Sequence, residues 1–270
     1  MLNNFFKKLK NIFIAYRAKL LSPFWRVWYW YIAGLDKGGE VTFLNYGYAG
    51  GNKLTLNKED ENNRQSIGLY DHVAGAVNLE GFDVLEVGCG RGGGASYVAR
   101  YLSPKSVKGM DLCKKSIDFC RKHYDIENLS FCWGDALNLP FADKSFNAVV
   151  NVESSHRYSD MERFLGEVYR VLKTGGYFLF ADLRDAELIE AMRKRLNSCR
   201  LKVIKEEEIT ANVAKAMLLD SRKKTNLIER LVPKFLHGLS REFAGTKKTG
   251  LYKSFMNGKK KYLHYILQKD

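Results

Sequence analysis

Acidic residues are absent from the first 35 positions, and nowhere in the 270-residue chain do cysteines stand as a C-x-x-C pair. The five cysteines, Cys89, Cys113, Cys120, Cys132 and Cys199, are scattered, and the five histidines form no cluster at local ligand spacing. Neither a zinc site nor a disulfide framework is indicated, no metal is expected, and a reducing cytoplasm is the expected compartment. No charge-free run reaches the ~18 to 20 residues that span a bilayer, and no apolar segment with a small-residue cleavage site marks a secretory signal. With neither internal repeats nor a low-complexity linker, the chain reads as one core with additions.

Positive charge is abundant but uneven. Of the formal +14, residues 1–35 contribute 6 Lys/Arg, residues 36–185 carry 18 against 21 acids, and residues 186–270 carry 20 against 9. The middle is near neutral and both flanks are basic. Charge alone admits nucleic acid, an anionic membrane or an acidic substrate as partner. In the first flank, Phe5, Leu9, Ile12, Phe13, Tyr16 and Leu20 recur at helical spacing among Lys7, Lys8, Lys10 and Arg17, which predicts an amphipathic helix. Beyond Ser22 and Pro23, FWRVWYWYIAGL (Phe24 to Leu35) packs six aromatics around one Arg. Two readings stand for this segment: cover for the folded core or its pocket, and contact with a membrane surface without crossing it.

Apolar runs at Val84 to Val87, Ser106 to Met110, Leu129 to Trp133, Ala148 to Val152 and Tyr177 to Ala181 alternate with helical patterns from about Asn63 onward. That alternation predicts an α/β fold built on a parallel, doubly wound, Rossmann-like sheet. Leu201 to Ile209 and Lys261 to Gln268 supply two last strands, seven in all. The expected organisation is a basic aromatic arm and loop (1–62), a core (63–209), a helical cap over the substrate site (210–256) and the last core strand (257–270).

The most informative segment is VLEVGCGRGGGA (Val84 to Ala95), an apolar strand, a glycine turn and a helix start. Gly88, Gly90 and Gly93 satisfy the dinucleotide pattern G-x-G-x-x-G, which by itself is shared by several cofactor classes. Glu86, two residues before the first glycine, would repel a pyrophosphate but welcome a cationic amino-acid ligand. Asp111 in GMDL ends the second strand, where it can accept hydrogen bonds from ribose hydroxyls. WGDALNLPF (Trp133 to Phe141) sets Asp135 and the Ala136 backbone where an adenine edge can be read.

Together these motifs resemble the class I S-adenosylmethionine-dependent methyltransferases. The resemblance implies S-adenosyl-L-methionine as cofactor, held by Glu86, Gly88, Cys89, Gly90, Asp111, Leu112, Asp135, Ala136 and Asn151. It implies Glu86 near the methionine end, Asp111 at the ribose and Asp135 at adenine. Over a longer span, FWRVWYWYIAGL, FLNYGY, ENNRQSIGLYDHVA, NVESSHRY, GGYFLFADLR and REFAGT resemble the mycobacterial phthiotriolone and phenolphthiotriolone dimycocerosate methyltransferases, from about Phe24 to the last strand. That likeness implies O-methylation of a hydroxyl on a long lipid or another hydrophobic small molecule. In that family a histidine often stands at the position of Arg91 and a small residue at that of Arg157, so the acceptor is expected to differ.

Methyl transfer to oxygen is an in-line displacement, so the protein aligns the two partners and removes the hydroxyl proton where needed. His156 in ESSHRY follows the fourth strand, and Asp182 ends the fifth in FLFADLRD, both at the carboxyl edge where such sheets place ligands. His156 is the expected general base and Asp182 its orienting carboxylate. Tyr46 and Tyr48 in FLNYGYAG are expected to close over donor or acceptor, with Glu153 nearby. Rival readings are C-methylation of a quinone or sterol, RNA methylation, and a non-catalytic donor-binding module. NVESSHRY lacks the N/D-P-P-Y loop typical of base N-methylation, so no nucleic-acid partner is expected. The basic flanks leave a peripheral anionic membrane surface as an expected partner.

Overall fold

The computed structural model describes residues 31, 34, 36, 38–51 and 54–270. The expected N-terminal amphipathic helix lies outside these residues, as does the aromatic stretch apart from Tyr31 and Gly34. Seven strands form one sheet in the order β3-β2-β1-β4-β5-β7-β6, where β1 is Asp83–Val87, β2 Ser106–Asp111, β3 Leu129–Trp133, β4 Phe146–Val152, β5 Leu172–Asp185, β6 Lys202–Glu208 and β7 Lys260–Gln268. The central strands are apolar on both faces because helices cover both.

On one face lie α1 (Arg64–Ala74), α2 (Gly93–Tyr101) and α3 (Lys114–His123); on the other lie α4 (Met161–Val171) and α5 (Ile189–Ser198). In α4, Phe164, Leu165, Val168 and Val171 are buried on one helical stripe against Leu85, Val149 and Phe178. Each such side chain contributes about 1.5–3 kcal/mol of burial. Asp160 caps this helix by accepting the Arg163 N–H at 2.9 Å.

Strands β1 to β5 are mutually parallel, as the alternation predicts, but β7 runs antiparallel to both β5 and β6. The sequence assigned no direction to the two last strands. An apolar run carries no direction, and β7 inserts between two strands that precede it. Strand β5 is also longer than the run Tyr177 to Ala181, because Leu172 pairs with β4 and Asp182 to Asp185 pair with β7.

Between β6 and β7 the chain is helical: α6 (Thr210–Leu231), α7 (His237–Ala244) and α8 (Gly250–Met256). Order reverses between β1 and β4, which opens a crevice at the carboxyl ends of those strands. Among the described residues no helix is long and apolar enough to cross a membrane.

Candidate active site

The glycine turn hangs from its neighbouring strand. Gly88 N and Cys89 N both donate to Met110 O, at 2.7 and 3.0 Å. Gly88 has φ +79°, and a Cβ there would collide with the Ser154 side chain. Its bare Cα therefore makes room for the β4 loop. Gly90, at φ +54°, has only Leu44 Cδ1 at 3.4 Å from the place of a Cβ, so its open side faces the crevice.

Asp111 braces the same turn: Oδ2 accepts Gly90 N at 2.9 Å and Oδ1 accepts Cys113 N at 2.7 Å. Burial pushes its pKa up, opposed by those backbone N–H groups. Each carboxylate oxygen retains a second lone pair for a hydroxyl donor.

Glu86 is 2% exposed. Its Oε1 accepts the Tyr70 hydroxyl at 2.6 Å, while Oε2 is buried with no hydrogen-bond partner among the described residues. Burial raises its pKa to about 7, opposed by the Tyr70 bond and reinforced by Asp111. A buried carboxylate oxygen without a donor fits an ammonium group, which is what an amino-acid ligand would bring. Tyr70 reaches Glu86 because Gly94 lacks a side chain; a Cβ there would overlap the Tyr70 ring. Sequence reasoning assigned no role to Tyr70, since only the packing of α1 across α2 brings it to β1.

At the β2 and β3 ends, Leu112 is 42% and Trp133 59% exposed, and Trp133 Nε1 donates to Leu112 O at 3.0 Å. These exposed apolar groups form a rim suited to a planar base, with Ala136 buried beside it. Trp133 was legible only as a strand residue. Asp135 is exposed and accepts Leu137 N through Oδ1 at 2.9 Å. Cys89 is buried within the turn, and Asn151 is fully buried behind it, its amide donating to Val87 O at 2.7 Å and Tyr158 Oη at 3.0 Å. In this arrangement Asn151 holds the end of β1, and its Oδ1 has no hydrogen-bond partner among the described residues.

The structure brings His156 and Asp182 together. His156 Nδ1 lies 2.7 Å from Asp182 Oδ1, and its backbone N–H donates to Oδ2 at 2.8 Å. Ser155 Oγ donates to Oδ2 at 2.7 Å, Leu183 N to Oδ1 at 2.8 Å, and Arg184 Nη1 stands 3.0 Å from Oδ2. Although burial alone would raise it, His156 and Arg184 hold Asp182 well below the usual carboxylate range. Burial lowers the His156 pKa, with Asp182 opposing and Arg157 and Arg184 assisting. The imidazole is thus neutral near pH 7, with Nδ1–H fixed on the carboxylate and the Nε2 lone pair available to accept a proton. Ser155 and Arg184 had no assigned role in the sequence. The register that ends β5 beside the Ser155–Arg157 turn is what reveals them.

Tyr46 and Glu153 also meet. Glu153, at φ +50°, accepts Tyr46 N at 2.8 Å and Tyr262 Oη–H at 3.0 Å, and burial pushes its pKa up to about 8. Tyr46 Oη donates to Phe243 O of α7 at 3.4 Å, joining the loop to the cap. Tyr48 goes elsewhere: its ring stacks on His72 at 4.2 Å. Arg91 is also directed elsewhere, donating to Val41 O at 2.6 Å and pairing with Asp36 at 3.1 Å over the Phe119 ring. It holds Asp36 and Val41 across the glycine turn. Between that segment and the cap lies a cavity of about 140 Å³, with Phe43 and Leu44 on one side and Leu227, Ile228 and Phe243 on the other.

Residues 85–180 match a family model described as a methyltransferase domain. The chain is 42% identical over 260 residues to the phthiotriol/phenolphthiotriol dimycocerosates methyltransferase of Mycobacterium tuberculosis, covering 94% of this chain and 96% of that one. It is 38% identical over 261 residues to a fatty-acid O-methyltransferase of Mycolicibacterium smegmatis, covering 96% and 92%. Among solved structures, a geranyl diphosphate C-methyltransferase from Streptomyces coelicolor, in complex with Mg2+, geranyl diphosphate and S-adenosyl-L-homocysteine, superposes with TM-score 0.62 at 17% identity, covering 90% and 95%. That last likeness is one of fold.

Proposed function

The chain belongs to the phthiotriol/phenolphthiotriol dimycocerosates methyltransferase family and is an S-adenosylmethionine-dependent methyltransferase, and from that premise we propose that it methylates a hydroxyl oxygen on a long hydrophobic acceptor, with His156 as general base. The observation that carries this reading is the 2.7 Å contact of His156 Nδ1 with Asp182 Oδ1, at an imidazole whose pKa burial lowers. S-Adenosylmethionine, when bound, supplies an electrophilic methyl on sulfur.

Glu86 Oε2 would accept from the donor's ammonium, Asp111 from its ribose hydroxyls, and Leu112, Trp133 and Ala136 would border its base beside Asp135. The donor would give its methyl to the acceptor oxygen and keep the sulfur electron pair, so the step left to the protein is removal of the hydroxyl proton. The hydroxyl proton moves to His156 Nε2. Asp182 stabilises the resulting imidazolium through Nδ1–H, and its five contacts keep it ionised. Glu153, with its pKa near 8, bonds the Tyr46 loop and β7 and positions that loop beside the site. The apolar cavity beneath the cap supports a hydrocarbon tail as the rest of the acceptor.

The names of the relatives favour lipid oxygen acceptors, and the fatty-acid enzyme supports a second reading, esterification of a carboxylate. A carboxylate carries no proton at neutral pH, so it needs no base. The test incubates the protein and a His156→Ala variant with methyl-labelled donor and a total extract of host lipids and RNA, then partitions the label. Label in the organic phase, reduced about 10²–10⁴-fold in the variant, supports hydroxyl methylation. Organic label indifferent to the variant selects the carboxylate reading, and label in aqueous polymer overturns both.

A further inference from the structure

We infer that His72, Glu207 and His264 form a binding site for one divalent transition-metal ion of the zinc class, separate from the methyl-transfer residues. One ligand atom from each of the three lies within 4.8 Å of the others. They come from three elements: His72 from the last turn of α1, Glu207 from β6, and His264 from β7, where Glu207 and His264 are registered partners. Positions 72, 207 and 264 are too far apart in sequence for any spacing rule to join them, which is why no metal was expected from the sequence.

Two observations point to a ligand independently. The first is geometric. Glu207 Oε2 is 3.1 Å from His72 Nε2 and 3.7 Å from His264 Nδ1. Ligand atoms at zinc bond lengths of about 2.0–2.2 Å around a tetrahedron lie about 3.3–3.6 Å apart, and the two observed separations bracket that range. The second concerns His264, which is 0% exposed and has neither ring nitrogen hydrogen-bonded among the described residues. An imidazole carries at least one N–H at neutral pH, so it is unusual to find one wholly buried with both nitrogens unserved. A metal on one nitrogen would supply the missing partner.

The surroundings suit such an ion. The His72 and Glu207 side chains are 20% and 33% exposed, which gives an approach from solvent and room for a water as fourth ligand. Tyr48 stacks on His72 and sets the ring plane, and His72 meets His264 edge to face with centroids 5.0 Å apart. Lys205 Nζ sits 2.8 Å from Glu207 Oε2 on the exposed side, where it can shift to the other lone pair or into solvent. Two imidazoles and one carboxylate make a donor set suited to Zn2+ and its neighbours rather than to Mg2+ or Ca2+. The ion would clamp α1 to the β6–β7 edge. Because α1 also carries Tyr70, the clamp would steady the helix that holds Glu86.

The test uses the full chain, freed of any polyhistidine tag and stripped with a chelator. Zn2+ is titrated calorimetrically, Co2+ is followed by its visible spectrum, and thermal unfolding is recorded with and without Zn2+. Expected are one Zn2+ per chain, a Co2+ spectrum without thiolate charge transfer, and a melting temperature raised by the metal. Glu207→Gln, at a half-buried edge position, should fold as wild type does without metal and weaken Zn2+ at least about tenfold. His264→Gln should abolish the 1:1 binding and the thermal shift, and His123→Gln should leave both unchanged. Absence of saturable binding, or binding indifferent to Glu207→Gln, overturns the site even if the buried His264 variant fails to fold.

Discussion

At the scale of single residues, two titrations follow from burial. His156 must be neutral to accept a proton, and burial depresses its pKa below the ordinary value of 6.5. At saturating donor, the rate should therefore rise with pH about a midpoint below that value and then level off. Asp182→Asn removes the one nearby charge that raises the His156 pKa and leaves Arg157 and Arg184, which lower it. The midpoint should move further down while the plateau rate falls about 10²–10⁴-fold. An unchanged midpoint would show that His156 does not set the profile. For Glu86, whose pKa is raised to about 7, a bound ammonium favours the ionised carboxylate. Donor affinity should accordingly rise with pH and level off above neutrality. Binding about one unit below the Glu86 pKa should release close to one proton, which calorimetry in buffers of different ionisation enthalpy reads directly. Glu86→Gln should abolish that release; release that persists would place the titration elsewhere. Glu86, Asp111, His156 and Asp182 were legible as candidates because each stands within or just after an apolar run, near the carboxyl end of a strand, where strand geometry says the chain meets the crevice. Tyr70, Ser155, Arg184 and Trp133 were not, because their roles depend on which helix crosses which strand.

At the scale of elements, the two central glycines of the turn divide the work. Both hold positive φ, so either substitution by alanine carries about 1–2 kcal/mol of backbone strain. Only Gly88→Ala adds a collision with Ser154, whose hydroxyl also bonds Tyr158 at 2.7 Å. Gly88→Ala should lower the melting temperature distinctly more than Gly90→Ala does. Gly90→Ala should act mainly on donor affinity, since its open side faces the crevice. Equal thermal losses would mean that the β4 loop yields easily. The sequence pattern marks both residues alike as G-x-G, and the difference arises from Ser154, 64 positions beyond Gly90. Strand direction was likewise hidden: β7 reads as one more apolar run, and its antiparallel course is set by where α6 to α8 return the chain.

At the scale of the whole molecule, the helices of 210–256 and the segment pinned by Arg91 face each other across the apolar cavity, while Val213, Ala214, Met217 and Phe255 of those helices also pack into the core on one face of the sheet. The stretch between the two last strands reads as largely helical, but nothing in it says that Leu227 and Ile228 line one cavity with Phe43 and Leu44, which lie more than 180 residues earlier. If this cavity receives the acceptor's hydrocarbon tail, filling it should penalise long acceptors selectively. Leu227→Trp enlarges a half-buried side chain on its wall and should displace about three methylenes. At about 0.8 kcal/mol each, that loss is roughly 2.4 kcal/mol, or about fiftyfold in kcat/KM for a long-chain acceptor. A short acceptor of the same head group should lose little, and donor affinity should not change, because Glu86, Asp111 and Trp133 lie outside the cavity. Competition between the two chain lengths, assayed with wild type and variant, separates this outcome from a general loss of folding. An equal fall for both lengths would take the tail out of the cavity and leave the basic, aromatic N-terminal arm as the next place to seek it.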